Sequence, residues 1–395
     1  MTNMNRWVIL LGYLLLTACT QMVWLSYAPV THGAAAQMHV TVSQVGWLSA
    51  VFAGIYLVLG LPAGHWLDKS FRHALGFGAV ATALGATLRV LAPDSFAVQM
   101  AGQLILAVGQ PFVLNAMSAL ALRHFPAHER PRAIAAGSAS LFVGVLLASV
   151  TAPALYEAGK LATLLTAHAI PTVVGAIWVL LSLRTPPNSA TSEELGQAAQ
   201  SIQPGWAWLG RDRLLQKLAG LLFVGFGLFG AISTWLEPLL GHQGISPGTA
   251  GNLMGLLVVC GILGAAVLPV VAAARGWRRE FLLASMALTG LMVIALGTVQ
   301  HLSALALGVG LGGFFLLACL PIVLEWAEEH VDASRQGRAV GFLLAAGNAG
   351  SLVLMLLVGA FVEQSAPVAV ALLAAAVALG AVLTLGLPRQ EPHVP

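Results

Sequence analysis

The stretch LLLTACTQMVW, residues 14–24, decides how the whole chain is to be read. Its LTAC segment, residues 16–19, has the form of a bacterial lipoprotein cleavage site, and the preceding Arg6 and apolar run are typical of a removable secretory signal. The alternative is a retained helix. Apolar character continues past Cys19, giving about 24 residues, enough to span a bilayer with some tilt. We therefore predict that segment 7–30 remains as the first membrane span.

The composition of the chain indicates a membrane protein. Of its 395 residues, 58% are hydrophobic and only 8% are charged, and the mean hydropathy is +0.87. A soluble domain carries about 25% charged residues. The chain therefore has too little polar surface to be wetted as a globule, and the bilayer must be its main solvent. The cysteines Cys19, Cys260 and Cys319 lie in apolar stretches and are expected to act as small hydrophobic residues.

Runs of about 20 apolar residues predict twelve membrane spans. Sixteen of the 18 Lys and Arg fall at the termini, in loops after even-numbered spans or in the span turns that border those loops, the exceptions being Arg89 and Lys160. This bias predicts that both termini and the even loops are cytoplasmic. The predicted spans are 7–30, 43–67, 73–92, 96–123, 132–153, 161–184, 213–240, 248–273, 280–299, 302–326, 337–362 and 366–387.

The chain contains an internal repeat. An offset of 206 residues places Lys69 opposite Arg275, Arg72 opposite Arg278, and the segment 132–134 opposite 338–340. We predict an all-α membrane protein with 12 transmembrane helices in two six-helix pseudo-repeats, which resembles the major facilitator fold. The expected domains are an N-terminal bundle (1–184), a polar cytoplasmic linker (185–212) and a C-terminal bundle (213–395), with the substrate site between the halves near the midplane.

Charged residues near the cytoplasmic span ends are the candidate gate. The segment GHWLDKSFRH, residues 64–73, resembles the loop signature of that superfamily, and its Asp68 could pair with a basic neighbour or cap a facing helix. Plain positive-inside chemistry is the alternative, favoured for Lys69 alone. Glu325 is expected to pair with Arg335 or Arg338. The predicted gate residues are Asp68, Lys69, Arg72, Arg132, Glu325 and Arg338.

Polar side chains on span one predict a cavity. Thr20, Trp24 and Tyr27 are spaced at i, i+4 and i+7, and Gln21 lies three residues before Trp24, so one broad helix face is polar and aromatic. Polar groups at bilayer depth usually face a cavity or a partner. We expect Gln21 and Trp24 to line the substrate site; for Tyr27 an interfacial position is an equal alternative.

Spans four and eleven carry amides. Gln103 and Gln110 are seven residues apart and so share a helix face, and Pro111 permits a bend there. We expect Gln110 to line the cavity, while Asn115 could line the cavity or bond to another helix. Asn348 repeats the pattern in span eleven. All four amides are candidate substrate ligands.

Four further side chains at membrane depth have open roles. Trp235 and Glu237 in span seven could together hold a cation, although Glu237 could also only cap a loop. Arg89, near the outer end of span three, is expected to snorkel to the interface or to meet Asp94. His168 in span six could carry a proton, but a structural role is the simpler interpretation.

Several stretches are similar to the feline leukaemia virus subgroup C receptor family of transporters. They are TQMVWLSYAPV (20–30), VGWLSAVFAGIYLVLGLPAGHWLD (45–68), GATLRVLAP (85–93) and GQLILAVGQPFVLNAMSALALRHFP (102–126). The resemblance implies transport of choline and ethanolamine, with haem export also proposed. It implies that Trp24 and Gln110 hold a quaternary ammonium group, and that Asn348 stands where the family has a longer Gln.

These observations predict a transporter and no enzyme. The leading hypothesis is a secondary active or facilitative transporter for a choline-like organic cation working by alternating access; the alternative is an exporter of an amphipathic or anionic compound. A receptor would need a larger output domain, and an enzyme would need clustered catalytic groups. We expect the protein to be a monomer in the cell (inner) membrane of a bacterium. We expect it to bind no cofactor, metal or nucleic acid. Coupling to a proton or sodium ion is left open.

Overall fold

The computed structural model describes residues 5–186, 208–209, 211–299, 301–332 and 335–388, and this part of the chain is helical without strands. The predicted linker lies largely outside the described residues. The helices are α1 (Arg6–Trp24), α2 (Thr31–Met38), α3 (Val42–Lys69), α4 (Phe71–Leu91), α5 (Phe96–Leu114), α6 (Met117–His124), α7 (Arg130–Ser182), α8 (Arg213–Gly241), α9 (Pro247–Arg275), α10 (Arg278–Thr298), α11 (Leu302–Leu316), α12 (Cys319–His330), α13 (Gln336–Gly359) and α14 (Ala366–Leu385).

The twelve predicted spans correspond to these helices. Eleven described segments are long and apolar enough to cross a membrane, and the 53-residue helix α7 contains two of the predicted spans. Gly159 and Lys160 interrupt α7, and Lys160 has a φ of 58°, in the left-handed region that L-residues rarely adopt. The helix therefore turns between the predicted spans five and six.

Local sequence signals fix where several helices begin. The side chains of Asn5, Ser95 and Ser246 each accept a hydrogen bond from a backbone N–H in the first turn of α1, α5 and α9. Asp212 does the same for two N–H groups of α8, from Leu214 and Leu215. Such caps satisfy amides that have no partner inside the helix.

Two of the predicted spans are broken within the membrane region. The fourth span consists of α5 and α6, separated at Asn115 and Ala116, and the tenth consists of α11 and α12, separated at Leu317 and Ala318. These are the fourth spans of the two sequence repeats. Each break leaves backbone carbonyl groups that must find partners outside the regular helical pattern.

The chain divides into two compact units. One comprises Met1–Val40 and Gly54–Pro204, and the other comprises Thr41–Ala53 and Gly205–Pro395. The first unit is built on the pairing of α1 with α7 and of α4 with α5, and the second on the pairing of α8 with α13 and of α9 with α11. The first turns of α3 group with the second unit, which the repeat did not predict.

Candidate functional site

Helix α1 ends at Trp24, earlier than predicted. The N–H of Leu25 makes the last hydrogen bond, to the carbonyl of Gln21 at 3.2 Å, and a 3₁₀ turn follows at Ala28–Val30. Tyr27 therefore lies beyond the helix, and the expectation of one continuous helical face through Thr20, Trp24 and Tyr27 is wrong. Trp24 is half-buried at this helix end, whereas Tyr27 is completely buried.

The end of α1 is held by Arg89 of α4, whose side chain is fully buried. Its Nη1 donates hydrogen bonds to the carbonyl oxygen of Val23 and to Oε1 of Gln103, each at 2.9 Å, and its Nη2 donates to Oγ of Ser26 at 3.4 Å. The prediction that Arg89 snorkels or meets Asp94 is wrong. Asp94 instead accepts a hydrogen bond from Gln37 at 2.6 Å.

Tyr27 also contacts Arg89 and bonds to a glutamine of α5. Its hydroxyl donates to Oε1 of Gln99 at 2.5 Å, and its ring lies 5.4 Å from the guanidinium carbon of Arg89. The amide nitrogen of Gln99 donates to the carbonyls of Arg89 and Ala92, at 2.9 and 2.8 Å, where α4 ends. Gln99 thus satisfies the end of α4 as Arg89 satisfies the end of α1. Reasoning from the sequence missed Gln99 because it lies within the first turn of span four.

His168 extends the cluster to both parts of α7. Its Nδ1 lies 3.0 Å from Oγ of Ser26, and its Nε2 lies 3.2 Å from Oγ1 of Thr151. Both ring nitrogens therefore have hydroxyl partners, which fits the structural interpretation of this residue better than that of an open proton carrier. We call Ser26, Tyr27, Arg89, Gln99, Gln103 and His168 the α1-end cluster.

Gln21 and Gln110 differ from the glutamines of this cluster. Both are largely buried, with 8% and 5% of their surface exposed. Neither amide has a hydrogen-bond partner among the described residues, and neither is among the polar groups that are enclosed without a partner. Their amides consequently keep access to open space. A buried amide that the protein leaves unbonded is available to a ligand.

Asn115 has partners within its own unit. Its Oδ1 accepts a hydrogen bond from the hydroxyl of Tyr56 at 2.6 Å, and its Nδ2 donates to the carbonyl of Gly60 at 2.9 Å. The side chain thus ties the break between α5 and α6 to α3. Of the two roles that the sequence left open, these contacts correspond to interhelical bonding.

In the second unit, Trp235 is a buried packing residue. Its Nε1 donates to the carbonyl of Met355 at 2.9 Å, and a Cβ at Gly46 or Gly359 would lie 1.9 or 2.5 Å from its ring. Glu237 is buried, with 5% of its surface exposed. Asn348 donates to the carbonyl of Leu344 in its own helix at 2.9 Å. Their assignment to the substrate site stays a prediction.

The predicted gate residues have different surroundings. Asp68, Lys69, Arg72 and Arg132 are exposed, and the Asp68 charge interacts with that of Arg123 without a direct ion pair among the described residues. Glu325 pairs with Arg278 at 3.1 Å, a partner that the sequence did not predict. A role for Arg338 with Glu325 stays a prediction.

Arg278, the first residue of α10, is the centre of a charged cluster in the second unit. Its two terminal nitrogens each bond to a carboxylate oxygen of Glu329 at 2.6 Å. Nearby, Oδ2 of Asp212 lies 2.9 Å from Nε2 of His330. Burial alone would raise the pKa of Asp212, but hydrogen bonds from the N–H groups of Leu215 and Leu214 and from His330 hold it below its usual value.

Within the described ranges, no group of three or more His, Cys, Asp or Glu side chains could hold a metal ion. The first unit contributes the half-buried aromatic side chain of Trp24 and the two unbonded amides of Gln21 and Gln110 as candidate ligands. Such a set can bind a small polar or cationic solute.

Known proteins resemble this chain over most of its length. Solute carrier family 49 member A3 from Danio rerio is 30% identical over 371 residues, which cover 90% of this chain and 78% of that protein. Choline/ethanolamine transporter FLVCR2 from Homo sapiens is 26% identical over 366 residues, covering 86% and 68% of the two chains. These relatives come from animals, so the expectation of a bacterial inner membrane has no support.

Solved structures share the fold. A bacterial homolog of the human lysosomal transporter Spinster, in an inward-facing and unoccupied conformation, has a TM-score of 0.72 and 14% identity, covering 98% of this chain and 95% of that one. The POT family transporter PepTSo has a TM-score of 0.75 and 13% identity, with 97% of both chains covered. The sequence profile of the Major Facilitator Superfamily matches residues 9–274 and 236–395. The chain therefore belongs to the major facilitator superfamily and is a multi-pass membrane transporter that resembles the feline leukaemia virus subgroup C receptor family.

Proposed function

We propose that the protein moves a small organic cation of the choline type across the membrane by alternating access. The observation that carries this proposal is the pair of buried, unbonded amides of Gln21 and Gln110 in the unit that presents the half-buried Trp24. The relatives named as choline/ethanolamine transporters support the same substrate class.

The chemistry of the three side chains suits a methylated ammonium group. Such a cation cannot donate a conventional hydrogen bond, and it is held by the face of an aromatic ring and by oxygens near its polarised methyl groups. Trp24 supplies the ring, and the two glutamine amides supply oxygens. Glu237, which is buried in the second unit, stays a cation ligand predicted from the sequence alone.

The anionic alternative depends on Arg89 as a ligand. The guanidinium is fully buried, its terminal nitrogens donate to three acceptors of the protein and its Nε is enclosed without a partner, so an anion would have to enter this closed cluster to reach it. This argues against an anion at that place. We further propose that residues 1–184 and 213–395 form the two halves, joined by the linker 185–212, that both termini are cytoplasmic, and that the protein acts as a monomer.

The test is uptake of radiolabelled choline into proteoliposomes of the purified protein, with and without an inside-negative potential. We expect saturable uptake that the potential stimulates and that excess unlabelled choline abolishes, and we expect Glu237→Gln to weaken the response to the potential. Protein-free liposomes are the blank. Folded protein that gives no uptake in either condition would remove choline from consideration, and uptake of an organic anion instead would favour the alternative.

A further inference from the structure

The place of Arg89 in the fold gives it a role that its sequence position does not indicate. Helix α1 stops at Trp24, and Gln21 is the last residue whose carbonyl accepts a bond from the helix cap, so the carbonyls of Met22 and Val23 lack such a backbone partner. A hydrogen bond from outside must satisfy them at membrane depth, where water is scarce. Nη1 of Arg89 supplies that bond to Val23, the residue immediately before Trp24.

The charge of Arg89 is balanced without an acidic partner. Among the described residues it forms no ion pair, and a buried charge is costly unless other groups compensate. The carboxyl end of α1 carries a partial negative charge that favours a cation there. The Gln103 oxygen, the Ser26 hydroxyl and the Tyr27 ring also contact the guanidinium, whose Nε is enclosed without a partner. The acceptors from α1, α5 and the turn after α1 thus all meet at one guanidinium.

We propose that Arg89 is a positioning residue for the substrate site: it fixes the end of α1 and thereby the orientation of Trp24 and Gln21. The proposal rests on the proposed function where it concerns the substrate. Its structural part stands on the contacts alone. The carbonyl of Val23, the hydroxyl of Ser26 and the ring of Tyr27 all contact Arg89, so loss of the guanidinium should loosen this turn more than the rest of the bundle.

Arginine is suited to this position and lysine is not. The fork of the guanidinium places two nitrogens at fixed spacing, so that one side chain can reach Val23, Gln103 and Ser26 together. A lysine ammonium is a single point on a flexible stem and cannot hold the same set in a defined direction. We therefore expect Arg89→Lys to keep the charge and to restore the positioning only in part.

The experiment measures local order and substrate binding in parallel. Hydrogen–deuterium exchange of the amides in residues 23–30 is followed for the wild type, Arg89→Gln, Arg89→Lys and Gln103→Met. The matched control is Arg184→Gln, which removes an exposed arginine from the same unit. For each folded variant, the KM and maximal rate of choline uptake are measured in proteoliposomes.

We expect Arg89→Gln to speed exchange in residues 23–30 while the rest of α4 and α7 stays protected, and to raise the KM about tenfold with a smaller change in maximal rate. Arg89→Lys and Gln103→Met should give intermediate values, and Arg184→Gln should match the wild type. Gln103→Met, which removes the acceptor for Nη1 of Arg89 and keeps the guanidinium, decides the matter if Arg89→Gln does not fold.

Unchanged exchange in residues 23–30, or faster exchange with an unchanged KM, would overturn the inference. A fall in maximal rate alone, with the KM preserved, would also count against positioning. If the wild type itself transports no choline, the proposed function has failed. The exchange measurement, which needs no substrate, then decides by itself whether Arg89 fixes the end of α1.

Discussion

Gly144 of α7 lies so close to α1 that a Cβ at residue 144 would come within 2.0 Å of the carbonyl oxygen of Ala18. The second unit has the same relationship between α13 and α8, since a Cβ at Gly350 would lie 1.9 Å from the carbonyl oxygen of Phe223. Gly144 and Gly350 are separated by 206 residues, the offset of the sequence repeat. The close approach of the first and fifth membrane spans, α1 to α7 and α8 to α13, is therefore a shared feature of both repeats.

We expect Gly144→Ala to destabilise the protein by about 1 to 3 kcal/mol, because the added methyl group meets backbone that cannot rotate away. The Cβ of Gln21 lies 2.8 Å from the same point, so the change should also disturb this candidate ligand. Thermal unfolding of the purified protein in detergent measures the effect. Gly350→Ala should behave alike.

Gly225→Ala provides the control, because a Cβ there would meet nothing within 4 Å. Alanine is a better helix former than glycine by up to about 1 kcal/mol, so this variant should be neutral or slightly stabilised. Equal unfolding temperatures for Gly144→Ala and Gly225→Ala would show that α1 and α7 can separate at little cost.

The sequence predicts the spans well because hydropathy follows the bilayer directly. The twelve segments, the repeat and the turn near Lys160 all depend on local composition. The exact residue at which α1 ends does not depend on local composition in this way. Residues 25–30 are as apolar as those before them. Pro29 indicates a helix end within this stretch, but it does not place that end at Trp24, where a side chain from α4 satisfies the last turn.

The candidate site shows the same limit. Gln103 and Gln110 share one face of α5, and nothing in their spacing separates them. The structure does so because Arg89 takes the oxygen of Gln103, whereas the amide of Gln110 has no partner among the described residues. Which glutamine remains available depends on the direction of a side chain on another helix, and periodicity carries no information about that direction.

The ion pairs of Arg278 should contribute unequally to stability. Glu329 bonds through both oxygens and Glu325 through one, at the longer distance of 3.1 Å. Both carboxylates are partly exposed to solvent, which weakens each pair. We expect Glu329→Gln to cost about 1 kcal/mol and Glu325→Gln less than that, as measured by chemical unfolding at low salt.

Salt provides the control for this comparison. The difference between the Glu329 and Glu325 variants should shrink as ionic strength rises, because the exposed carboxylates are screened. A larger loss from Glu325→Gln than from Glu329→Gln would contradict the ranking. Arg278→Met should exceed both, since it leaves two carboxylates without their common partner.

Stability should also depend on the protonation of His124, which ends α6 outside the predicted spans. Burial and the neighbouring Arg123 lower the pKa of His124 from near 6.5 to about 4. Between these values the unfolded chain binds a proton that the folded protein does not, so the free energy of unfolding rises with pH. It should fall as the pH is lowered from 6.5 to 4, on the order of 2 kcal/mol in total.

Thermal unfolding at a series of pH values measures this slope. His124→Gln, which cannot be protonated in this range, should show a flatter profile than the wild type between pH 4 and 6.5. Identical profiles for the two proteins would mean that His124 is solvated or paired in the folded state. The Nδ1 atom of this residue, which is enclosed without a partner, makes that outcome inconsistent with the structure.

The last prediction concerns the two glutamines of α5, which form a matched pair on one helix. Gln110→Ala should raise the KM for choline about tenfold, the effect of losing roughly 1.4 kcal/mol of binding, and leave the unfolding temperature nearly unchanged. Gln103→Ala should lower the unfolding temperature, because it takes an acceptor from the buried Arg89. Uptake kinetics and thermal unfolding on the same preparations separate the two variants, because only Gln103→Ala is expected to lower the unfolding temperature, together with a smaller rise in the KM through Arg89. If Gln110→Ala proved the less stable variant and transported choline with an unchanged KM, the amide of Gln110 would be a packing group and the substrate would have to be held elsewhere.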